Sequence, residues 1–593
     1  MSFTTRPEIC GTFGAVASTH WIASAVGMRM LELGGTAADA AAAMGFTLNV
    51  VEPHLNGPLG DMPAMIWPAG ADHPLVICGQ GVAPAGATMA HMRAEGLSSI
   101  PGSGLLGTVV PGAFDAWMVM LRDHGRLSLR EVLSPAIHYA RAGHPMLPRA
   151  AGVIAGLAGF FRDEWPTSAA TWLPRGTAPE GGALFANPTL ADTWDRLLTE
   201  AEAAQGGRET QIEAARRAFY KGFVAETIDR WMQEACVMDA AGGRRRGVLR
   251  GQDMADWEAS YEPALDVDYH GWQVLKPGFW SQGPVFLQTL RLLEGMTVDP
   301  DRPADFVHLV TEAMKLAFAD REAYYGDAPG DWPHQALLGR DYAEARSALI
   351  GAQASVEQRP GRLPGFEQLA EAAIARAGRQ TEAKGVGAGE PTMAHLSDKR
   401  GDTVHIDAID RWGNMVSATP SGGWLQSSPV VPGLGMPLNS RAQMFWLDEG
   451  LPSSLVHGTR PRTTLSPSMA RGPDGRRLAF GTPGGDQQDQ WQLIWFLRVV
   501  HQGLNLQEAV DAPLFHTAHF QGSFWPREVR PGHLMIEPAV GEAVLADLRA
   551  RGHAVEVAAP WTVGRLTAAS QGPDGLIRAA ATPRLMQAYA IGR

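Results

Sequence analysis

Two short runs separated by five residues constrain this chain more than any other feature in it. In Thr403-Val404-His405-Ile406-Asp407-Ala408-Ile409 the even positions are apolar and the odd ones mostly polar. In Met415-Val416-Ser417-Ala418-Thr419-Pro420-Ser421 the polar Ser417, Thr419 and Ser421 are again odd. Strand side chains alternate with period two, so a one-residue slip would set the apolar face of one run against the polar face of the other. Odd must face odd. With Asp410-Arg411-Trp412-Gly413-Asn414 as the loop, pairing 409 with 415 places His405 opposite Thr419 and Thr403 opposite Ser421. Loops of three or seven residues keep the same parity. Directly opposed Cβ atoms lie roughly 4.5–5.5 Å apart, which brings the Thr403 and Ser421 hydroxyls within reach of each other.

Immediately upstream, from about 376 to 402, the periodicity dissolves into Gly385-Val386-Gly387-Ala388-Gly389-Glu390-Pro391 and the polar Ser397-Asp398-Lys399-Arg400-Gly401-Asp402, the composition of a flexible linker. A threonine hydroxyl is a weak nucleophile unless a base adjoins it. The base nearest to hand is the threonine's own α-amine, freed when the preceding peptide bond is cut. The sequence therefore predicts a precursor that cuts itself between Asp402 and Thr403. The products would be a mostly helical segment, 1–402, ending in the linker, and a strand-rich segment, 403–593, headed by the nucleophile.

Such a nucleophile needs an oxyanion site. Gly481-Thr482-Pro483-Gly484-Gly485-Asp486 leads from a strand, 477–481, into a helix of about 486–501 that is apolar on most sides and predicted to be buried. Glycines there let a substrate approach backbone N–H groups at the positive end of the helix dipole, and Asp486 and Asp489 suit a helix start.

The rest of the chain supplies a layered body. Helical spacing runs from Thr19 to Leu33. Thr36 with Asp39 resembles a capping box for an Ala-rich helix over 37–50. Short apolar strands are predicted at Ala64 to Trp67 and Leu75 to Cys78, and helices dominate from about 112 to 350. Among these, Ala304 to Tyr325 carries Asp320, Arg321 and Glu322 opposite its apolar side. Further strands are predicted at 566–570 and 576–580. Strands flanked by buried helices suggest a helix-sheet-sheet-helix architecture.

At 593 residues and 45% apolar composition the chain can bury a large core. Its formal charge of −12, with no basic strip, argues against nucleic acid and anionic membranes. Cys10, Cys78 and Cys236 are few and widely spaced, and no signal peptide or long apolar run occurs, so a cytoplasmic location is expected. His516 and His519 lack a third ligand, and there is no phosphate loop, H-E-x-x-H or G-x-S-x-G elbow. Neither a metal nor a cofactor is expected.

Leu33-Gly34-Gly35-Thr36-Ala37-Ala38-Asp39, Ala83-Pro84-Ala85, Gly107 to Gly112, Ala319-Asp320-Arg321, Tyr325-Gly326-Asp327, Thr403 to Asn414, Gly481 to Gly485 and Gly572-Pro573-Asp574-Gly575 together resemble the γ-glutamyltransferase family of N-terminal-nucleophile (Ntn) hydrolases. The resemblance spans almost the whole chain. It implies an α+β fold, a four-layer αββα sandwich formed by both cleavage products, which stay associated, and a possible homo-oligomer. It also implies an acyl-enzyme on Thr403, formed from a small-molecule amide and released by water or an amine. Related branches include glutathione hydrolases, cephalosporin acylases and oxamate amidohydrolases; a non-catalytic homologue that binds a metabolite is the alternative.

Position by position, the resemblance makes Ser421 the counterpart of a second threonine that bonds the nucleophile. Gly484 and Gly485 become the oxyanion glycines, and Thr463 and Thr464 the counterparts of a serine pair that binds the substrate carboxylate. Thr419, opposite His405 on the hairpin, joins the candidate substrate contacts. Gln80 stands where the family usually carries an arginine that clamps the γ-glutamyl carboxylate, Gly423 lacks a common amide, and Gln443-Met444 stand near a common aspartate. Losing a hydrogen bond to a charged group costs about 1.5–3 kcal/mol, so the usual anchor is weakened unless another cation, among Arg441, Arg460 and Arg462, replaces it.

Overall fold

The alternating runs close in the expected register, with Ile409 paired to Met415 and Ile406 to Ala418, in a computed structural model that describes residues 3–379, 403–586 and 588–593. Fourteen strands build its two large sheets. In chain order they are β1 (Ile9–Gly11), β2 (Gly14–Ser18), β3 (Ala64–Trp67), β4 (Leu75–Cys78), β5 (Ser260–Pro263), β6 (Leu265–Tyr269), β7 (Trp272–Lys276), β8 (Ile406–Asp410), β9 (Met415–Ala418), β10 (Ser468–Arg471), β11 (Arg477–Gly481), β12 (Thr567–Gln571), β13 (Ile577–Ala581) and β14 (Tyr589–Gly592). One sheet runs β1-β13-β12-β11-β10-β7-β6 and the other β14-β2-β8-β9-β3-β4-β5. Every pairing within them is antiparallel.

Strand parity explains the layers. On β8 the even residues Ile406 and Ala408 pack against helices α1 (Trp21–Glu32) and α2 (Ala37–Val51), among Met30, Met44 and Phe46. Odd Ile409 and its partner Met415 face the other way, against Met469, Ala479 and Ala569 of the opposite sheet. That sheet turns Leu478, Phe480 and Ala568 outward onto α3 (Pro284–Leu293), α4 (Pro303–Tyr324) and α6 (Gln488–Gln502), with α5 (Glu367–Ala377) beyond α4. The result is an α+β, four-layer αββα sandwich. The capping box forms as expected: Asp39 N–H donates to Thr36 Oγ1, and Thr36 N–H to Asp39 Oδ2 at 2.8 Å.

Several expectations need correction. The ladder β8–β9 spans 406–410 and 415–418 rather than 403–409 and 415–421. Pro420 has no N–H to give, Thr419 N–H donates to Pro63 O and Ser421 N–H to Asp61 O, so the chain leaves the ladder while Val404 N–H still reaches Pro420 O at 3.0 Å. Strands β5 to β7 interrupt the stretch expected to be helical. Asp320, Arg321 and Glu322 are buried rather than on a solvated side, because α4 lies under other elements on more than one face. Helix α5 runs to Ala377, past the expected start of the linker at 376; Asp402 and the stretch from 380 lie outside the described residues. No helix among the described residues is long and apolar enough to cross a membrane.

Candidate active site

The odd face of the hairpin looks into the space between the sheets, where its polar residues form a buried file. Thr403 is buried and its hydroxyl donates to Ser421 Oγ at 3.2 Å, as the register requires. His405 Nδ1 meets Thr419 Oγ1 at 3.0 Å and its Nε2 meets Asp407 Oδ1 at 3.1 Å. Thr567 of β12, in the opposite sheet, donates to Asp407 Oδ2 at 2.6 Å. Ser417 Oγ donates to Phe480 O of β11 at 3.2 Å. Thr419, a candidate substrate contact, is thus bound to His405, and the file joins the two sheets through polar groups that satisfy one another.

The glycine turn begins beside this file. The His405 ring packs onto Gly481, where a Cβ would lie 2.1 Å from Cε1. Gly484 (φ 134°) and Gly485 (φ 55°) adopt backbone conformations that side chains disfavour. A Cβ on Gly484 would meet Trp491 at 2.3 Å, and one on Gly485 would touch Phe524 at 3.0 Å. Asp486 and Asp489 do not cap α6, whose start carries no side-chain cap. Both are drawn into buried ion pairs instead. Arg321 of α4 reaches Asp486 Oδ1 at 2.5 Å, and Ser523 donates to the same carboxylate from N and Oγ. Burial pushes the Asp486 carboxyl up, but Arg321 and Ser523 outweigh it and hold it below the usual range. Lys276 Nζ lies 2.7 Å from Asp489 Oδ1. The turn is therefore clamped to α4 and β7 by charge.

The three candidate arginines separate cleanly. Arg460 is bound to Asp327 and Glu262, and Arg462 to Glu322 at 2.6 Å and Ser523 Oγ at 2.9 Å. Arg441 is fully buried and meets Asp61 through Nε at 2.8 Å, while its Nη1 and Nη2 have no hydrogen-bond partner among the described residues. Its guanidinium lies 4.9 Å from the Trp424 ring and 5.9 Å from Phe524. Burial pushes the Asp61 carboxyl up to about 6, with Arg441 pulling the other way. Gln80 is buried, its Nε2 donating to Gly81 O at 3.3 Å and its Oε1 without a partner among the described residues. Thr463 Oγ1 accepts from Leu465 N–H at 3.3 Å, whereas the buried Thr464 hydroxyl has no partner among the described residues.

Sequence reasoning missed Asp61. Its N–H donates to Ser421 O at 2.8 Å and its O accepts from Ser421 N at 2.9 Å, so its backbone is locked to the residue that meets Thr403 while its side chain holds Arg441. A signal existed in Gly57 and Gly60, where a Cβ would lie 1.9 Å from Gly423 O and 2.0 Å from Ser421 O. Glycines so spaced mark a close backbone approach. Trp424 and Phe524 were also missed, and nothing local distinguishes them from core aromatics.

The chain and its fold have counterparts among known proteins. The family profile described as Gamma-glutamyltranspeptidase matches residues 23–592. The Glutathione hydrolase-like YwrD proenzyme of Bacillus subtilis (strain 168) is 28% identical, the match covering 97% of this chain and 98% of that protein. The solved structure of LmbA2991HD is 50% identical with a TM-score of 0.92 and 100% of both chains covered. That of cephalosporin acylase from Bacillus halodurans is 26% identical with a TM-score of 0.81, covering 100% of this chain and 97% of its own. With its sandwich, its glycine turn and a match that runs nearly end to end, the chain belongs to the gamma-glutamyltranspeptidase family of amidohydrolases and acylases, enzymes of the Ntn-hydrolase fold.

Proposed function

We propose that this protein is a self-processing N-terminal-threonine amidohydrolase or acyltransferase. Hydrolysis of the Asp402–Thr403 peptide bond frees the Asp402 carboxyl and the Thr403 α-amine. The two products, 1–402 and 403–593, stay together. The amine then takes the Thr403 hydroxyl proton as Oγ1 bonds to the carbonyl carbon of a small amide. The carbon–nitrogen bond breaks, the proton leaves with the amine, and water or an acceptor amine releases the acyl group from Oγ1. Ser421 orients the nucleophile, and the N–H groups of Gly484 and Gly485 face the oxyanion, a role worth about 2.7–4 kcal/mol per donor in comparable sites.

The observation that carries this reading is the Thr403–Ser421 hydroxyl contact of 3.2 Å at the head of the inward polar file. A structural threonine at a strand start has no need of a second hydroxyl beside it, nor of a glycine turn packed on the next odd residue. Denaturing electrophoresis with amino-terminal sequencing tests the proposal. Wild type should give two chains, one beginning at Thr403, and Thr403→Ala a single uncut chain. An uncut, folded wild type would sink the reading and favour a metabolite-binding role.

A further inference from the structure

We infer that His405 is a positioning residue that sets the glycine turn at its working distance from Thr403, held in place by a closed circuit of buried contacts between the two sheets; this rests on the reading of Thr403 as the nucleophile. The circuit has four links. The His405 ring lies against Gly481, where the three atoms nearest to a Cβ would all belong to the ring. Gly481 is paired with Thr567 across β11 and β12. Thr567 Oγ1 donates to Asp407 Oδ2 at 2.6 Å, and Asp407 Oδ1 lies 3.1 Å from His405 Nε2. The side chains of His405, Asp407 and Thr567 are all 0% exposed.

The network also fixes the proton on the ring. Thr567 donates to one oxygen of Asp407, the other accepts from His405 Nε2–H, and Nδ1 is left to accept the Thr419 hydroxyl at 3.0 Å. Both nitrogens are spent, so neither takes the Thr403 proton, and the ring acts by where it stands. Thr403 precedes His405 by two residues and Gly484 follows Gly481 by three; the ring therefore sits at the point from which the nucleophile and the turn depart. Ser417 Oγ adds a second tie, donating to Phe480 O beside Gly481 at 3.2 Å. Close by, the same two sheets meet through Ile409 and Met415 against Met469, Ala479 and Ala569. Apolar contact of that kind is non-directional, whereas hydrogen bonds fix direction as well as distance, and a fully satisfied buried network is rigid. Rigidity matters here because a misplacement of about 1 Å costs a reaction about 100-fold.

The test is turnover of p-nitrophenyl acetate by the processed enzyme, an activated ester whose small acyl group asks little of the acyl pocket, together with inhibition by phenylboronic acid, which adds to a hydroxyl nucleophile as a tetrahedral mimic. His405→Asn keeps an amide near Nδ1 and removes the ring edge that abuts Gly481. It should lower kcat about 10- to 100-fold and weaken phenylboronic acid in step, with KM held and the acid limb of the pH–rate profile unmoved. Gly481→Ala should lose a similar factor. The double variant should lose far less than the product of the two, because the space left by the ring accepts the new methyl. Unchanged kcat in folded, processed His405→Asn, or losses that simply multiply, overturns the positioning role; disappearance of the acid limb makes His405 a base and overturns it as well. Should His405→Asn fail to fold or to cut itself, Thr567→Val decides, since it keeps the shape and removes only the hydroxyl on Asp407. A kcat lowered about threefold or more with KM held supports the circuit, and an unchanged kcat refutes it. Amino-terminal sequencing of each preparation precedes the rates: a wild type with no chain beginning at Thr403 defeats the nucleophile reading itself, a failure distinct from those above.

Discussion

Replacing Lys276 by Met tests whether charge holds the glycine turn in place. Nζ sits 2.7 Å from Asp489 Oδ1 with both side chains fully buried, and donates to Ser468 Oγ at 2.7 Å and Gln492 Oε1 at 3.1 Å. Asp489 also accepts from Ser466 Oγ at 2.7 Å and Gln282 Nε2 at 2.9 Å. At this separation the Coulomb attraction is roughly 6 kcal/mol for an effective dielectric of about 20. Taking each ion out of water costs several kcal/mol, so the intact pair contributes little net stability. Removing one partner is different, because it strands a buried carboxylate at a cost of about 3–5 kcal/mol. Methionine fills most of the lysine stem's volume, so packing contributes only a small part of that loss.

The pH dependence identifies the cause. Burial already raises the Asp489 carboxyl, and Lys276 is the main group opposing the rise; without it the folded-state value climbs further. A carboxyl raised in the folded state destabilises while ionised and is relieved as pH falls through that value. Urea unfolding followed by tryptophan fluorescence should therefore show Lys276→Met about 3–5 kcal/mol less stable than wild type at pH 8 and distinctly closer to it at pH 5. Adding Asp489→Asn should recover much of the loss at pH 8. A penalty below about 1 kcal/mol, or one equal at both pH values, would refute the electrostatic account.

Two further outcomes are expected. Ser421→Ala removes one neutral hydrogen bond, worth about 0.5–1.5 kcal/mol, and should lower self-cleavage and turnover rates about tenfold or less, with Ser421→Thr close to wild type; unchanged rates for Ser421→Ala would deny it an orienting role. Asp61, raised to about 6 by burial against Arg441's opposing charge, takes up its proton earlier in the folded than in the unfolded chain. Wild type should thus gain up to roughly 3 kcal/mol on Asp61→Asn between pH 7 and pH 4, and a flat difference across that range would contradict the burial of an ionised carboxylate there.

What could be read in advance follows from how local each signal is. The parity of the hairpin was legible because one period-two rule governs both runs, and the five-residue loop, preferred over three or seven, is the one that forms. The Thr36 cap and helix α2 were legible because their partners lie within three residues. Strands β2 and β14 were not: β2 is buried along its whole length, so it shows no alternation, and its partners β8 and β14 lie hundreds of residues away. The Asp320-Arg321-Glu322 run reads as a solvated face by composition, yet Arg321 finds Asp486 and Glu322 finds Arg462 from distant segments. Of the candidate site, the contact between the Thr403 and Ser421 hydroxyls and the close-packed glycine turn were legible. Asp61 escaped because its role comes from pairing across the sheet, and Arg441 was one of three equivalent candidates until their ion pairs were known.

Strands β8 and β9 are stitched between β2 and β3, while β13 is stitched to β1 and β10 to β7. Residues before 379 and after 403 thus share both sheets like the fingers of clasped hands. Severing the backbone between them would alter connectivity without releasing a piece, and prying the halves apart would demand melting both sheets at once. Halves synthesised on separate messages would have to find each other before either had a core to call its own.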